Sequence, residues 1–238
     1  HQHFATPSIG VTPFSGSQSD VGELLKQADL AMYQAKSLGR NTVCFFDPAM
    51  QAAMSANATI GSDLREALRK KQFLLFYQPQ VDRAGVITGV EALVRWQHPQ
   101  RGLVPPMEFI PFAEQTGFVR QLTLWIFEAV ARLLADERVR PLGLRVSVNL
   151  STRDLLDPEL CTRLEALLAR HGVQAGSFCL EITESAIMDD PQRAEAMLNR
   201  LSQQGFKLSI DDFGTGYSSL AYLRRLPVQE LKIDKSFV

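Results

Sequence analysis

The sequence predicts an α/β fold: from Phe73 onward, a (β/α) barrel of parallel strands covered by helices and entered through an antiparallel first strand. Three observations predict it. Short apolar runs alternate with amphipathic stretches from Leu144 to Ile233, the pattern of successive βα units. Phe73–Gln78 and Val86–Val94 read as strands separated by a short turn around Arg83-Ala-Gly85, and strands joined so closely form an antiparallel hairpin. Finally, polar groups close the strands: Gln78, Glu91, Asn149, Glu181 with Glu184 behind it, Asp211 with Asp212, and Lys232. In a barrel, parallel strand ends converge on one face, where such groups meet around one ligand. In an open doubly wound sheet they are strung along an edge. Each residue alone has an ordinary reading (Asn149 as a helix cap, Glu184 as a first-turn acid, Lys232 as a surface charge), but their joint recurrence favours the barrel.

The 238 residues allow one large domain or one and a half, and 45% hydrophobic content is enough for a core. A net charge of −1 gives no bulk attraction to a DNA or RNA polymer or to an anionic membrane. Cys44, Cys161 and Cys179 fit no zinc or disulfide spacing and point to a reducing compartment. The most apolar helical stretch, Leu122–Ala135, is interrupted by Glu128 and Arg132, so no run reaches membrane-spanning length. The segment is expected to be cytoplasmic and to make no membrane contact, with any anchor of the parent protein lying upstream. Asn149-Leu-Ser151 matches a glycosylation sequon that this setting makes accidental. A chain that starts at His1 is expected to be a piece of something longer.

The first segment reads strand, helix, strand. Ser8–Val11 ends a strand, and Ser15–Ser19 is a polar loop. Val21, Leu24, Leu25, Ala28, Ala31, Met32 and Ala35 then fall at helical spacing behind an Asp20 cap, with Gly39 placed to stop the helix. Thr42–Phe46 is a second strand. This is too small to hold a core alone and reads as the tail of an α/β domain. Ala28-Asp-Leu-Ala-Met-Tyr-Gln-Ala-Lys36 followed by Gly39-Arg-Asn41 closely resembles the C-terminal end of GGDEF domains, the diguanylate cyclase fold. The Gly-Gly-Asp/Glu-Glu-Phe signature that holds metal and nucleotide in that family is not in this chain, so cyclase activity is not assigned to it.

Residues 1–48 are therefore read as the end of a GGDEF domain and 49–71 as a helical linker in which Ser62 caps a helix running to Lys71. The remainder, 72–238, carries the barrel. After the hairpin and a loop with Gly102, Pro105 and Pro106 come helices at Glu108–Glu114 and Val119–Glu137. Then follow strand Leu144–Val148, helix Asp154–His171, strand Phe178–Ile182 and helix Pro191–Gln204. Strand Lys207–Ile210 leads into Asp211-Asp212 and a Gly214-Thr-Gly216 turn, then helix Ser218–Arg225 and strand Glu230–Ile233.

Adjacent aspartates at a strand end ionise cheaply only beside a cation, and the glycines after them let backbone N–H groups approach an anion. Carboxylates with an amide oxygen are hard ligands that suit Mg²⁺ or Mn²⁺ better than zinc, and no His or Cys lies at these strand ends. The set exceeds what one Mg²⁺ needs and fits two ions, as in many phosphodiester hydrolases.

Tyr77-Gln-Pro79, Glu91-Ala-Leu93 with Arg95 and Trp96, Ser147-Val-Asn-Leu-Ser151, Glu181-Ile-Thr-Glu184, Asp211-Asp-Phe-Gly-Thr-Gly216 and Lys232-Ile-Asp234 resemble, in order, the motifs of EAL domains. These are cyclic di-GMP phosphodiesterases of TIM-barrel type with an antiparallel first strand. The resemblance implies that Glu91, Asn149, Glu181, Asp211 and Asp212 hold two Mg²⁺ or Mn²⁺ ions. Lys232 would sit beside the attacking water, and Glu184 would organise the loop after Asp211. Gln78, Leu93, Arg95, Asn149 and Asp212 would meet the dinucleotide. The implied reaction is hydrolysis of cyclic di-GMP to linear pGpG by a water activated between two metals, in a protein expected to form homodimers.

The family continues past Lys-Ile-Asp through two more βα units, which carry a further metal-site glutamate and a glutamine near the ligand. This chain stops at Val238, and a complete barrel takes about 250 residues, or at least about 200. The fold expected here is an incomplete barrel of about six of the eight strands. The intact metal motifs favour an enzyme over a non-catalytic cyclic di-GMP receptor, the reading that the absent glutamate keeps open. A bifunctional parent with a working cyclase half is the third.

Overall fold

The computed structural model describes residues 7–14, 20–37, 41–50, 63–214, 222 and 224–237. Contacts divide the chain into two compact units, His1–Asp63 and Leu64–Val238.

In the first unit, β1 (Ile9–Val11) pairs in parallel with β2 (Val43–Phe45), and α1 (Val21–Ser37) connects them. Ala31 and Ala35 are fully buried on the inner face of α1. Gly10 permits the close packing: a Cβ there would lie 2.1 Å from the Ala28 carbonyl oxygen and 2.2 Å from the Met32 nitrogen, both on α1. The polar loop Ser15–Ser19 and the helix stop at Gly39 lie outside the described residues.

The second unit is one seven-stranded sheet. Helix α2 (63–69) leads in, with Leu64 and Ala67 fully buried. Its proposed cap, Ser62, lies outside the described residues. β3 (Phe73–Val81) runs antiparallel to β4 (Ile87–His98), and from there the order β4-β6-β7-β8-β9 is parallel throughout. These parallel strands are β6 (Val146–Leu150), β7 (Phe178–Thr183), β8 (Lys207–Phe213) and β9 (Glu230–Ile233).

The parallel strands are not uniformly apolar; they alternate. Ala92, Val94 and Trp96 on β4, Val146, Val148 and Leu150 on β6, Phe178, Leu180 and Ile182 on β7, and Leu208 and Ile210 on β8 are buried. The residues between them are Glu91, Ser147, Asn149, Cys179, Glu181, Ser209 and Asp211, which share the opposite face because strand side chains alternate with period two. The apolar face packs against helices: α4 (Val119–Ala135) is buried along Leu122, Ile126, Phe127, Val130 and Leu134, and α8 (Pro191–Gln203) along Ala194, Met197, Leu198 and Leu201. Phe127 stacks on Phe178 with ring centroids 5.3 Å apart, and Phe206 meets both edge-on.

The sheet curls strongly toward its polar face. Four inter-strand steps separate β4 from β9, which in a flat sheet would put them about 19 Å apart at ~4.8 Å per step. Yet the Lys232 ammonium lies 3.2 Å from Glu91. Three steps separate β6 from β9 and β3 from β7, and these are also bridged, Arg145 to Glu230 at 3.5 Å and Gln80 to Glu181 at 3.3 Å. Such contacts arise only on the inside of a barrel wall.

Several element boundaries differ from the expectation. The hairpin is longer, and a short β5 (Gly102–Val104), read as loop, adds to it by pairing with Trp96–His98. The helix expected at Glu108–Glu114 is α3 (Pro106–Thr116), because Pro106 fits the first turn, where a missing N–H costs nothing. The helix expected at Asp154–His171 is two, α5 (Thr152–Leu155) and α6 (Leu160–His171). Pro158 ends the first by disfavouring helical backbone at Asp157. A short helix α7 (Glu184–Asp189) follows β7 directly, with Glu184 as its first-turn acid. β8, expected to end at Ile210, continues through Asp211 and Asp212 to Phe213, so the aspartates stand at a strand end as expected. The Thr215-Gly216 part of the turn and most of the expected helix 218–225 lie outside the described residues.

Trp96 is 1% exposed, meets Phe73 and Phe109, and donates its indole N–H to Gln72 at 3.2 Å. Trp96→Ala should lower unfolding free energy by about 3–5 kcal/mol in urea titrations. A loss below about 1 kcal/mol would contradict this account of the hairpin core.

Candidate active site

The register places the polar residues level with one another. Glu91 lies opposite Gln78 across the hairpin and opposite Ser147 on β6. Asn149 is level with Glu181, Glu181 with Ser209, and Asp211 with Thr183. Lys232 follows Glu230, which is level with Ser209.

At the centre stands Lys232. Its ammonium donates to Glu91 Oε2 at 3.2 Å and to Glu181 Oε1. Burial disfavours its charge, but the bond to Glu181 and the charges of Glu91 and Asp211 outweigh that, and its pKa is raised. Asn149 Nδ2 donates to Glu91 Oε1 at 3.0 Å. Glu181 is 1% exposed, and burial raises its carboxyl pKa, reinforced by Glu91 and opposed by Lys232. Its Oε2 is buried with no hydrogen-bond partner.

That orphaned oxygen tests the fit of a metal. A buried carboxylate oxygen without a partner costs several kcal/mol unless a cation meets it. The donors around it, carboxylates and the Asn149 amide, are the oxygen set that hard divalent ions prefer. Among the described residues no three acidic, His or Cys side chains converge on one point; the Lys232 ammonium stands between Glu91 and Glu181. The chemistry of the donors is that of a hard-cation site, and the bonds of Asn149 to Glu91 and of Lys232 to both glutamates bring three of the expected ligands, Glu91, Asn149 and Glu181, into one cluster.

Asp212 is placed differently. It sits at φ 52°, its backbone N–H bonds Asp211 Oδ1 at 3.0 Å, and its side chain interacts with Asp234. Burial raises its pKa, and Asp211 and Asp234 raise it further. Asp212 thus shares a contact with Asp234 while Asp211 and Lys232 still act on its charge.

Glu184 opens α7 and is 2% exposed. Its Oε2 accepts the Gly214 N–H at 2.9 Å, holding the chain just past the aspartates. Gly214 sits at φ 102°, and a Cβ there would lie 2.8 Å from the Phe237 ring. Of the expected ligand-contacting residues, Gln78, Leu93 and Arg95 lie on the hairpin: Gln78 is exposed beside Glu91, and the Arg95 guanidinium lies 5.6 Å from the Phe76 ring centre. Leu93 and Asn149 border a cavity of about 510 Å³ walled by Pro106, Ile110 and Glu114. The sequence reading missed Gln80 and Ser147, which join the cluster through Gln80 Nε2 to Ser147 Oγ at 3.2 Å. Period-two spacing from Gln78 and from Asn149 is the signal that marks them.

A model of the EAL domain family matches residues 62–238. The chain is 41% identical over 248 residues to the bifunctional diguanylate cyclase/cyclic di-GMP phosphodiesterase MucR of Pseudomonas aeruginosa, covering 100% of this chain and 35% of that protein. It is 37% identical over 235 residues to the cyclic di-GMP phosphodiesterase PdeR of Escherichia coli, covering 99% and 36%. The chain thus spans about a third of the length of these relatives. A solved structure described as the PaMucR phosphodiesterase in complex with c-di-GMP superposes with a TM-score of 0.70 at 42% identity, over 75% of this chain and 73% of that one. With the strand order, the polar strand ends and the match over residues 62–238 in agreement, this chain belongs to the EAL domain family.

Proposed function

We propose that the chain carries a cyclic di-GMP phosphodiesterase that hydrolyses its substrate to linear pGpG. The observation that carries this reading is the placement of Glu91 and Glu181 on either side of Lys232, with Asn149 on Glu91, inside a curled parallel sheet. Membership of the EAL family and the named activities of MucR and PdeR support it.

Glu91, Asn149, Glu181, Asp211 and Asp212 are assigned as the residues that hold two Mg²⁺ or Mn²⁺ ions. Such ions, when bound, acidify a water and screen the phosphate charge. Lys232, charged and half-buried, stabilises negative charge as water adds to phosphorus and the 3′ oxygen leaves. Gln78, Leu93 and Arg95 line the approach and orient the dinucleotide, Arg95 by pairing with a phosphate. Glu184 holds the segment after Asp211 so that the aspartates keep their place. Residues 1–48 are assigned to the C-terminal end of a GGDEF domain on their parallel strand–helix–strand, 49–71 to the connector and 72–238 to the EAL domain. The parent is proposed to be a cytoplasmic-facing homodimer. Among the described residues no helix is long and apolar enough to cross a membrane.

The test is turnover of cyclic di-GMP by the purified chain with Mg²⁺ or Mn²⁺, with products resolved by chromatography and binding measured in parallel. pGpG is expected. Binding without turnover would replace the enzyme with a receptor, and neither would overturn the reading. Glu91→Ala should abolish turnover while the thermal transition stays near that of the parent chain, because the change removes a ligand and little core volume; retained turnover would remove Glu91 from the site. Glu184→Ala should lower kcat on the order of 100-fold, the scale of an ångström misplacement, with Mn²⁺ affinity retained. Loss of Mn²⁺ affinity with kcat unchanged would contradict the positioning role.

A further inference from the structure

Gln80 lies on β3, two residues beyond Gln78 and on the same face. It follows the Tyr77-Gln-Pro79 motif directly, and its side chain crosses the barrel interior. Its Nε2 lies 3.2 Å from Ser147 Oγ on β6 and 3.3 Å from Glu181 Oε1 on β7. A primary amide has two N–H donors, so one group serves both acceptors. The Ser147 hydroxyl is then left to turn back to Gln80 Oε1, 3.4 Å away, or to Glu181. Gly89, opposite Gln80 in the hairpin, leaves the space this amide occupies: a Cβ there would lie 3.2 Å from Gln80 Oε1 and 2.8 Å from the Arg145 carbonyl oxygen.

The two oxygens of Glu181 are treated unequally. Oε1 receives both Lys232 and Gln80, whereas Oε2 is buried and receives nothing. A carboxylate free to rotate exchanges its oxygens; one gripped at a single oxygen presents the other. We infer that Gln80 is a positioning residue, which fixes Glu181 through Oε1 so that Oε2 is the oxygen offered to a divalent cation. This rests on the metal-dependent reading above and extends it to a residue at the inner end of the first strand. Outer partners that orient a ligating carboxylate typically change metal affinity or activity by about 10–100-fold when removed.

The experiment compares the parent chain with Gln80→Leu, which keeps the bulk and removes both donors, and with Gln80→Glu, which keeps the shape and replaces the donor with an acceptor. Mn²⁺ affinity is measured by calorimetry with the metal alone. Turnover of cyclic di-GMP is measured separately at saturating Mn²⁺, and thermal unfolding serves as the folding control. Gln80→Leu should weaken Mn²⁺ binding about tenfold or more and Gln80→Glu at least as much, with kcat lowered and KM for the dinucleotide changed less than about twofold. A merely structural role would lower the melting temperature and leave the Mn²⁺ affinity of the folded protein unmoved. Unchanged Mn²⁺ affinity in both folded variants overturns the inference and leaves the phosphodiesterase reading standing. Mn²⁺ binding that depends on Gln80 in a chain without turnover supports the inference and removes the enzyme reading. A parent chain that takes up no Mn²⁺ overturns both.

Discussion

The second unit is organised around one electrostatic constraint: carboxylates from different strands are forced onto the same inner face, where they repel. Register leaves no alternative. Glu181 is level with Asn149 and Ser209, Glu91 with Ser147, and the odd-numbered positions of β6, β7 and β8 all turn away from the helices. Like charges about 4 Å apart cost about 4 kcal/mol at an effective dielectric near 20. Lys232 offsets that cost by standing between Glu91 and Glu181, and their charges keep it protonated in return. A cation in this place offsets the repulsion of the inner carboxylates. The groups assigned to the chemistry are also the ones that share the inner face of the curled sheet.

What holds the carboxylates inward is not their own chemistry but the apolar residues between them. Val146, Val148 and Leu150, then Phe178, Leu180 and Ile182, must face the helices, and a slip of one residue would expose all of them. Burying each such side chain is worth about 1.5–3 kcal/mol, so the outer face sets the register by a wide margin. Glu181 can therefore be kept buried with an unpartnered oxygen, a local cost carried by packing on the other side of the same strand.

This division explains what could be read from the sequence. The hairpin, the alternation of strand and helix and the polar strand ends are local patterns, and the barrel followed from them. The contacts of Lys232 with Glu91 and of Gln80 with Glu181 join residues far apart in sequence, and only the curl of the sheet brings them together. Prolines misled at two places for opposite reasons. Pro106 opens a helix instead of preventing one, while Pro158 breaks a helix that periodicity alone carried through to His171. The left-handed backbone of Asp212, φ 52°, was hidden because a side-chain pattern does not encode a backbone angle.

The two aspartates show how a strand end can be made adjustable. Asp211 lies in register with Thr183 and inherits the rigidity of the sheet. Asp212, one residue on, has left-handed backbone and a partner in Asp234, and its charge is opposed by Asp211 beside it. Left-handed backbone at a non-glycine residue costs on the order of 1–3 kcal/mol and persists only where its surroundings enforce it. Here the enforcement comes from Glu184, which grips Gly214 two residues further on, and from Phe237, whose ring occupies the space a side chain at 214 would need. A divalent cation that attracted Asp212 would relieve the repulsion from Asp211 and draw on that strain. The segment between Asp211 and Gly214 is thus the part of the site whose geometry answers to charge, while Glu91 and Glu181, fixed by their strands, are the part that does not.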